Sequence, residues 1–349
     1  MEANMPVEKK LFNKKVLLTC GGGVGDIIMF TPALKALKEQ YNCHITFLTP
    51  RNADILKGLP YINKIIFMKR GRFLGRYRNL LDLAKQDAII FSDWQPQLLW
   101  QAHILRVPLI ACIKREGHRL SKYINKPITF NVFETDDYVA RTHAHMIEEA
   151  LDIKLKGDMT DIDVPQTSKE DHNVVDNLLV DIGIDKKTEY IALSPFTGLE
   201  ERNWNCDAAS AFVKLAIEKY DMPVVVLGTK DVVEQARKIS PYCLAGRTTL
   251  LQTVELIRRA KLLVTPDSGP MHIAGAVGTP VVALFNKDLP SRWAPKKNCE
   301  VVYLGYDCSP CDDETARNCK YNLRCMRDIT AEMVMDKIER LFAKNKDVV

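Results

Sequence analysis

Residues 265–285 read TPDSGPMHIAGAVGTPVVALF, and the order of residue types in this stretch decides the fold. An apolar run, KLLVTPD at 261–267, passes through a short polar loop into a segment with helical spacing, and a second apolar run follows at once. Strand, helix and strand in such close succession are typical of a parallel sheet whose two faces are covered by helices. We therefore predict a doubly wound α/β domain around these residues.

The same alternation extends over most of the chain. Apolar runs that predict further strands stand at 16–20, 44–49, 64–69, 88–93, 107–113, 190–195 and 223–228. A polar, charged stretch at 155–173 (LKGDMTDIDVPQTSKEDHN) shows no core-facing pattern, and we place a domain boundary within it. The prediction is a first domain at 1–165, a second at 166–328, and a terminal helix at 329–349 that packs back on the body.

Length and composition exclude several classes of protein. The 349 residues exceed what one hydrophobic core usually supports and indicate about two domains. With 46% apolar and 27% charged residues, the chain is neither disordered nor fibrous. The first ten residues, MEANMPVEKK, lack the apolar core of a signal peptide, so we expect a cytoplasmic protein. The net charge of +5 is compatible with an acidic partner but does not identify one.

A glycine-rich run, CGGGVGDIIMFTP at 20–32, follows the first predicted strand. It is not a P-loop, since no Gly-Lys-Ser/Thr follows, and Asp26 stands where a dinucleotide fingerprint needs its third glycine, which argues against a nicotinamide dehydrogenase. With Thr31 as N-cap and Pro32 as the first helical residue, Asp26 would lie in the turn at the carboxyl end of a strand. There it is either a capping residue or a general base.

The loop in the opening segment carries Asp267, Ser268 and Gly269, and the helix after it carries His272. Backbone N–H groups at a helix start attract anions, and a serine hydroxyl and an imidazole add further polar contacts for a diphosphate. This pattern indicates a site for a nucleotide sugar. The alternative is an Asp-Ser N-cap with a histidine satisfied in the core.

A third segment, LSPFTGLEERNWN at 193–205, places Thr197, Arg202 and Trp204 just beyond a predicted strand. An arginine here would neutralise charge that develops on the phosphate of a leaving nucleotide. The alternative is a solvated arginine in a surface loop.

Taken together, these segments resemble the heptosyltransferases of glycosyltransferase family 9, which add heptose from ADP-heptose to the inner core of lipopolysaccharide. The resemblance covers nearly the whole chain, and the cysteine-bearing tail is similar to the heptosyltransferase II-like subgroup. It implies a GT-B fold, in which two Rossmann-like domains face each other across a cleft. The first domain would bind the acceptor glycan and the second the nucleotide sugar, and inverting transfer would require no catalytic metal.

The resemblance also implies roles for individual residues. Asp26 matches the catalytic base that takes the proton of the acceptor hydroxyl. Arg202 stands where better-known members carry lysine, and Asp231, chosen over Glu234, is the expected ribose contact. The full donor-binding prediction comprises Thr197, Arg202, Asp231, Asp267, Ser268, Gly269 and His272.

On the acceptor side we expect contributions from Gly25 and from a basic segment, MKRGRFLGRYR at 68–78. Its cations are donors for phosphates and acidic sugars, although a basic loop is also a common solvated surface. A second basic segment, KREGHRLSK, stands at 114–122. The expected partner is an acidic or phosphorylated glycan, with peripheral contact at the inner face of the plasma membrane and no nucleic acid. The cations of the first segment are Lys69, Arg70, Arg72, Arg76 and Arg78.

Four of the ten cysteines fall close together near the C-terminus, at Cys308, Cys311, Cys319 and Cys325. Four thiolates are sufficient for a tetrahedral structural zinc or iron site, and four reduced, buried thiols are the equal alternative. Neither interpretation assigns these residues a role in the chemistry.

Other functions stay open on sequence grounds. The chain could use another nucleotide sugar, or glycosylate a protein instead of a lipid-linked glycan. A non-enzymatic alternative is a metal-stabilised module for nucleic-acid binding or assembly, marked by the cysteines and the basic segments.

Overall fold

The computed structural model describes residues 11–68, 80–129 and 136–346. The chain divides into two compact units, Met1–Pro165 and Gln166–Val349. In each unit the described strands form one sheet, and every described strand pairing within these sheets is parallel.

The sheet of the first unit has six strands in the order β3-β2-β1-β4-β5-β6. Along the central strands nearly every side chain is buried, which is why the sequence shows continuous apolar runs there rather than alternation. In register, Val16 of the first strand lies between Ile45 and Ala88. The strands are β1 (Lys15–Thr19), β2 (His44–Thr49), β3 (Lys64–Phe67), β4 (Ala88–Phe91), β5 (Leu109–Ile113) and β6 (Lys126–Ile128).

Five helices of this unit are described, and α2 packs against α5. Strand β6 was not predicted, because it is only three residues long and contains Pro127. A proline has no N–H for the ladder and is tolerated here because β6 is an edge strand. The helices are α1 (Val24–Met29), α2 (Thr31–Tyr41), α3 (Leu80–Ala84), α4 (Pro96–Ile104) and α5 (Val139–Leu151).

The sheet of the second unit has five strands in the order β11-β10-β9-β7-β8. The strands are β7 (Ile191–Leu193), β8 (Val224–Val226), β9 (Leu262–Pro266), β10 (Val281–Phe285) and β11 (Cys299–Tyr303). The helices are α6 (Lys169–Asp181), α7 (Cys206–Tyr220), α8 (Val233–Ile239), α9 (Leu250–Arg259), α10 (Gly269–Val277), α11 (Pro290–Trp293), α12 (Asp313–Arg317), α13 (Arg324–Arg327) and α14 (Ala331–Lys346).

Helix α6 begins inside the stretch that the sequence analysis treated as lacking a core-facing pattern. Its start is set by a capping box, in which the Ser168 hydroxyl accepts from the Asp171 N–H and the Asp171 carboxylate accepts from the Ser168 N–H. Only Val175, Leu178 and Leu179 of this helix are buried. The buried side of α6 is therefore narrow. Charged residues surround it, so the apolar residues at helical spacing were not recognised in the sequence.

Each sheet contains one point where the strand order reverses, between β1 and β4 in the first unit and between β7 and β9 in the second. In open parallel sheets, ligands bind beyond the carboxyl ends of the strands at such points. The glycine-rich run follows β1, the Arg202 loop follows β7, and Asp267 follows β9 directly. The fold thus brings Asp26 of the first unit, and Arg202 and Asp267 of the second unit, to the switch point of their own sheet.

The terminal helix α14 packs against α7 and β11 of the second unit. Just before it, the carbonyl oxygen of Ile329 accepts a hydrogen bond of 3.0 Å from the indole N–H of Trp204, a side chain that is buried. None of the helices within the described ranges has the length and apolar character needed to cross a bilayer.

Buried His143 makes the stability of the first unit sensitive to acid. Its ring stacks on Phe30 at 3.7 Å, and burial lowers its pKa to about 3. An unfolded histidine titrates near 6.5, so below that pH the unfolded chain binds a proton that the folded chain does not. We expect the free energy of unfolding to fall by about 2 kcal/mol more between pH 7 and pH 5 in the wild type than in His143→Phe. Urea unfolding at both pH values measures this difference, and identical losses in the two proteins would contradict it.

Candidate functional site

The loop after β7 is folded by its own hydrogen bonds. The Thr197 N–H donates to Asn203 Oδ1 at 2.7 Å, and the Thr197 hydroxyl donates to the Leu199 carbonyl at 2.6 Å. A single 3-10 turn, Glu200–Arg202, then carries the arginine. The loop therefore presents Arg202 from a fixed backbone.

Arg202 joins the loop after β7 to the loop after β9. Its Nη1 lies 3.2 Å from Asp267 Oδ2 and donates to the Asp267 carbonyl oxygen at 3.3 Å. The exposed fractions of the two side chains are only 19% and 5%. A charged pair so poorly solvated is held in place, because breaking it would leave a buried charge without a partner.

His272 lies in α10, directly beside this pair. It is 2% exposed, and its Nε2 is 3.9 Å from Asp267 Oδ1. Burial first, and the charge of Arg202 second, lower the pKa of His272 to about 3. The imidazole is therefore neutral at physiological pH and adds no positive charge to that of Arg202.

The start of α10 is formed by the predicted Ser268 and Gly269. Ser268 is the N-cap residue, but its hydroxyl donates to the Pro266 carbonyl at 3.0 Å and lies 3.1 Å from the Thr265 hydroxyl oxygen. It makes no side-chain capping bond to the helix, which begins at Gly269. N–H groups in the first turn of a helix have no partner within the helix, so this end favours an anion.

Arg202 Nε and His272 Nδ1 are buried polar atoms of this cluster without a hydrogen-bond partner within the described part of the chain. Buried polar atoms are nearly always paired in folded proteins, directly or through water. Two orphaned atoms next to a helix start, at the switch point of the sheet, indicate the place of a polar ligand.

Asp231 lies apart from this cluster, in the 3-10 turn Lys230–Val232 that follows β8. It is exposed, and a hydrogen bond from the Thr229 side chain is the main cause that lowers its pKa. Because β8 pairs with β7, Asp231 follows the neighbouring strand end at the same edge of the sheet. Its predicted ribose contact stays a prediction.

In the first unit Asp26 lies in helix α1 and not in the turn that was predicted for it. It is the third residue of α1, and its Oδ2 accepts from the Gly23 N–H at 2.8 Å. The predicted N-cap is also wrong by one residue, since Phe30 caps α2 while Thr31 and Pro32 are its first two residues. The short helix was missed because its glycine-rich start offers no helical propensity to recognise.

Two glycines are required for close approach of carboxylates. A Cβ on Gly22 would lie 2.4 Å from Asp26 Oδ2, and a Cβ on Gly21 would lie 2.6 Å from Asp93 Oδ2. Burial raises the pKa of the Cys20 thiol, with Asp26 and then Asp93 raising it further, so both carboxylates lie near the end of β1.

Sequence reasoning missed Asp93, which ends the apolar run at 88–93 and follows β4 across the switch point from β1. Its Oδ1 accepts from Gln95 Nε2 at 2.8 Å. A carboxylate directly after a buried strand was the signal that would have identified it.

The predicted acceptor cations Lys69, Arg70, Arg72, Arg76 and Arg78 lie outside the described residues. Gly25 is described and is buried in α1. From the second basic segment, the Arg115 guanidinium lies 5.2 Å from the centroid of the Trp94 ring, beside Asp93 in sequence.

The four clustered cysteines line one cavity of about 480 Å³ in the second unit. Burial raises the pKa of the Cys311 and Cys325 thiols, and the neighbouring thiols raise both further, while the Lys287 charge works to lower the pKa of Cys311. As the side chains are placed, no group of three or more His, Cys, Asp or Glu residues within the described ranges is arranged to hold a metal ion. The zinc or iron site stays a prediction.

Comparison with known proteins identifies relatives over nearly the full length. The model of glycosyltransferase family 9 (heptosyltransferase) matches residues 118–322, well over half of the chain. The lipopolysaccharide core heptosyltransferase OpsX of Haemophilus influenzae is 26% identical over 310 residues, covering 81% of this chain and 82% of that protein. The lipopolysaccharide heptosyltransferase 3 of Escherichia coli K12 is 27% identical over 348 residues, covering 92% and 96%.

Among solved structures, the E. coli ADP-heptose lipopolysaccharide heptosyltransferase II superposes with a TM-score of 0.75 at 19% identity. The alignment covers 95% of this chain and 99% of that chain. This likeness concerns the fold, and it confirms the predicted GT-B class with two Rossmann-like α/β units.

The neutral state of His272 is directly measurable. Because burial and the Arg202 charge both oppose protonation, we expect the imidazole to stay neutral from about pH 8 down to about pH 5. Long-range ¹H–¹⁵N spectra of histidine-labelled protein report the protonation state, and His272→Gln identifies the signal. An imidazolium pattern for His272 above pH 5 would show that the imidazole is solvated and not buried.

Proposed function

Because the chain belongs to glycosyltransferase family 9, we propose that it transfers a heptose from ADP-heptose to a hydroxyl of a lipopolysaccharide inner-core acceptor, with inversion at the anomeric carbon. Family membership makes the chain a transferase, so the non-enzymatic alternative is set aside. The names of its curated relatives, lipopolysaccharide heptosyltransferases, support this choice of sugar and acceptor.

The observation that carries the proposal is the polar cluster at the switch point of the second sheet. Arg202, Asp267 and His272 come together there from two loops and a helix, and Arg202 Nε and His272 Nδ1 are left without hydrogen-bond partners in the described structure. A diphosphate offers acceptor oxygens for an arginine N–H, for backbone N–H groups and for a neutral imidazole that donates.

Each donor-side group has a separate part in the proposed reaction. Arg202 stabilises the negative charge that grows on ADP as it leaves, which is where a cation lowers the barrier most. Gly269 and the hydroxyl of Ser268, with Thr197 in the loop opposite, position the two phosphates. His272 contributes a hydrogen bond without changing the charge of the site, and Asp231 binds the ribose.

Asp26 is the proposed general base on the acceptor side. It removes the proton of the acceptor hydroxyl as that oxygen forms a bond to the anomeric carbon and the bond to ADP breaks. The Gly23 N–H holds one carboxylate oxygen, which fixes the orientation of the side chain.

The proposed transfer takes no metal, because general base and cation are supplied by Asp26 and Arg202. The four-cysteine segment is proposed as structural. The acceptor is proposed to be acidic or phosphorylated and reached from the inner face of the membrane, with no part for nucleic acid.

A transfer assay tests this function. Wild-type protein is given ADP-heptose, a UDP-sugar or a GDP-sugar, together with inner-core lipopolysaccharide that lacks the heptose or with an unmodified protein acceptor. We expect transfer only from ADP-heptose and only to the glycan, and we expect Asp26→Asn to lower kcat by about 10²–10⁴-fold because the general base is lost. ADP affinity of this variant should equal that of the wild type. Transfer from another nucleotide sugar would show that the donor is not ADP-heptose. Transfer to the protein acceptor would show that the acceptor is not the glycan.

A pair of glycine variants tests the position of Asp26 while the aspartate itself is kept. In Gly22→Ala the new Cβ would lie 2.4 Å from Asp26 Oδ2, so the carboxylate must move. In Gly23→Ala the distance is 3.7 Å, an ordinary contact. We expect Gly22→Ala to lose at least about tenfold in kcat, in line with displacement of a catalytic group, while Gly23→Ala stays within a few-fold of wild type. Equal activity in both variants would contradict this placement of Asp26.

A further inference from the structure

Three consecutive residues after β10 support the Arg202 turn from outside the predicted motifs. Asn286 Nδ2 donates to the Glu201 carbonyl at 2.7 Å, a hydrogen bond that is buried. Asp288 Oδ2 accepts from Arg202 Nη2 at 2.6 Å. The arginine therefore has one carboxylate on each side, Asp267 from β9 and Asp288 from beyond β10.

Lys287 holds Asp288 in turn. Its Nζ is 3.2 Å from Asp288 Oδ2 and 2.6 Å from Asp313 Oδ1, and it is only 5% exposed. Burial works to lower the pKa of Lys287, but hydrogen bonds to Asp313 and Asp288 outweigh it and raise the pKa, so the ammonium group stays charged. The lysine itself is the poorly solvated member of this contact, so loss of both carboxylates would leave its charge buried without a partner.

The same lysine belongs to the wall of the cysteine cavity. Its carbonyl oxygen accepts from the Cys311 N–H at 2.9 Å, and Asp313 opens the short helix α12 of the cysteine segment. A chain of contacts thus runs from that segment through Lys287 and Asp288 to Arg202. The position of Arg202 therefore depends on Asp288 and Lys287, which lie outside the sequence motifs assigned to the site.

We propose that Asp288 is a positioning residue that fixes the guanidinium of Arg202 for the diphosphate, with Lys287 and the cysteine segment holding Asp288 in place. The inference rests on the proposed function and extends it to the loop after β10. Asp288 acts through Arg202 and does not itself contact the nucleotide. Its negative charge opposes an anionic ligand, so a net benefit to binding arises only from the geometry it imposes.

A double-mutant cycle on ADP affinity separates positioning from a general structural role. Arg202→Gln, Asp288→Asn and the double variant are titrated with ADP by calorimetry. Asparagine has the size of aspartate but lacks the charge that holds the guanidinium. We expect Asp288→Asn to weaken ADP binding about tenfold and Arg202→Gln about 10- to 100-fold. The double variant should bind no more weakly than Arg202→Gln, since Asp288 has nothing left to position.

Glu300→Gln is the matched control, since Glu300 is a poorly exposed carboxylate of the same unit that also bridges two cations, Lys337 and Lys344. It should leave ADP affinity unchanged, both in the wild-type background and in the Arg202→Gln background. The proposal would be overturned if the losses in ADP affinity from Asp288→Asn and Arg202→Gln were additive, or if Asp288→Asn left ADP binding unchanged. Tighter ADP binding by Asp288→Asn would also overturn it, because it would show that Asp288 only repels the anion. Absence of ADP binding to the wild type would instead refute the proposed function itself.

Discussion

The ion pair between Arg202 and Asp267 is the interaction on which the proposed site depends. It joins the loops that follow β7 and β9, the two strands between which the order of the second sheet reverses. His272 lies beside the pair, and its own burial first, then the charge of Arg202, keep that imidazole neutral. The Arg202 guanidinium thus lies beside the carboxyl ends of β7 and β9 and near the start of α10.

In the first unit, the groups at the switch point are positioned by steric fit. At the end of β1 the chain must leave room for two carboxylates, Asp26 and Asp93, and glycines at 21 and 22 provide it. Side chains at these positions would collide with the groups that face the strand end. The glycine-rich run here serves carboxylate packing, whereas a P-loop or a dinucleotide fingerprint uses its glycines to approach phosphates.

Most of the fold could be predicted because burial on both faces of a parallel sheet leaves continuous apolar runs such as AIIF at 88–91. The missing elements are those with a weaker burial signal. Strand β6 is short and contains a proline, β11 is only half-buried, and α6 buries one narrow side. Helix α1 starts among glycines, so Asp26 was expected in a turn.

Asp288 and Lys287, which support the site, could not be predicted from sequence patterns for a different reason. Arg202 and Asp288 are separated by 86 positions, and Lys287 joins Asp313 across another loop. Motif spacing reports only residues that lie on one element or at neighbouring strand ends. Ion pairs between loops depend on how the loops pack, and the periodicity of the sequence does not predict loop packing.

The most direct test of the account is a calorimetric comparison of ADP with AMP binding to the wild-type protein. If the cluster around Arg202 and His272 holds a diphosphate, removal of the second phosphate should weaken binding by at least about tenfold, because charge-assisted hydrogen bonds are lost. Equal affinity for ADP and AMP would show that Arg202 and His272 do not hold the diphosphate, and would contradict their place in the donor site.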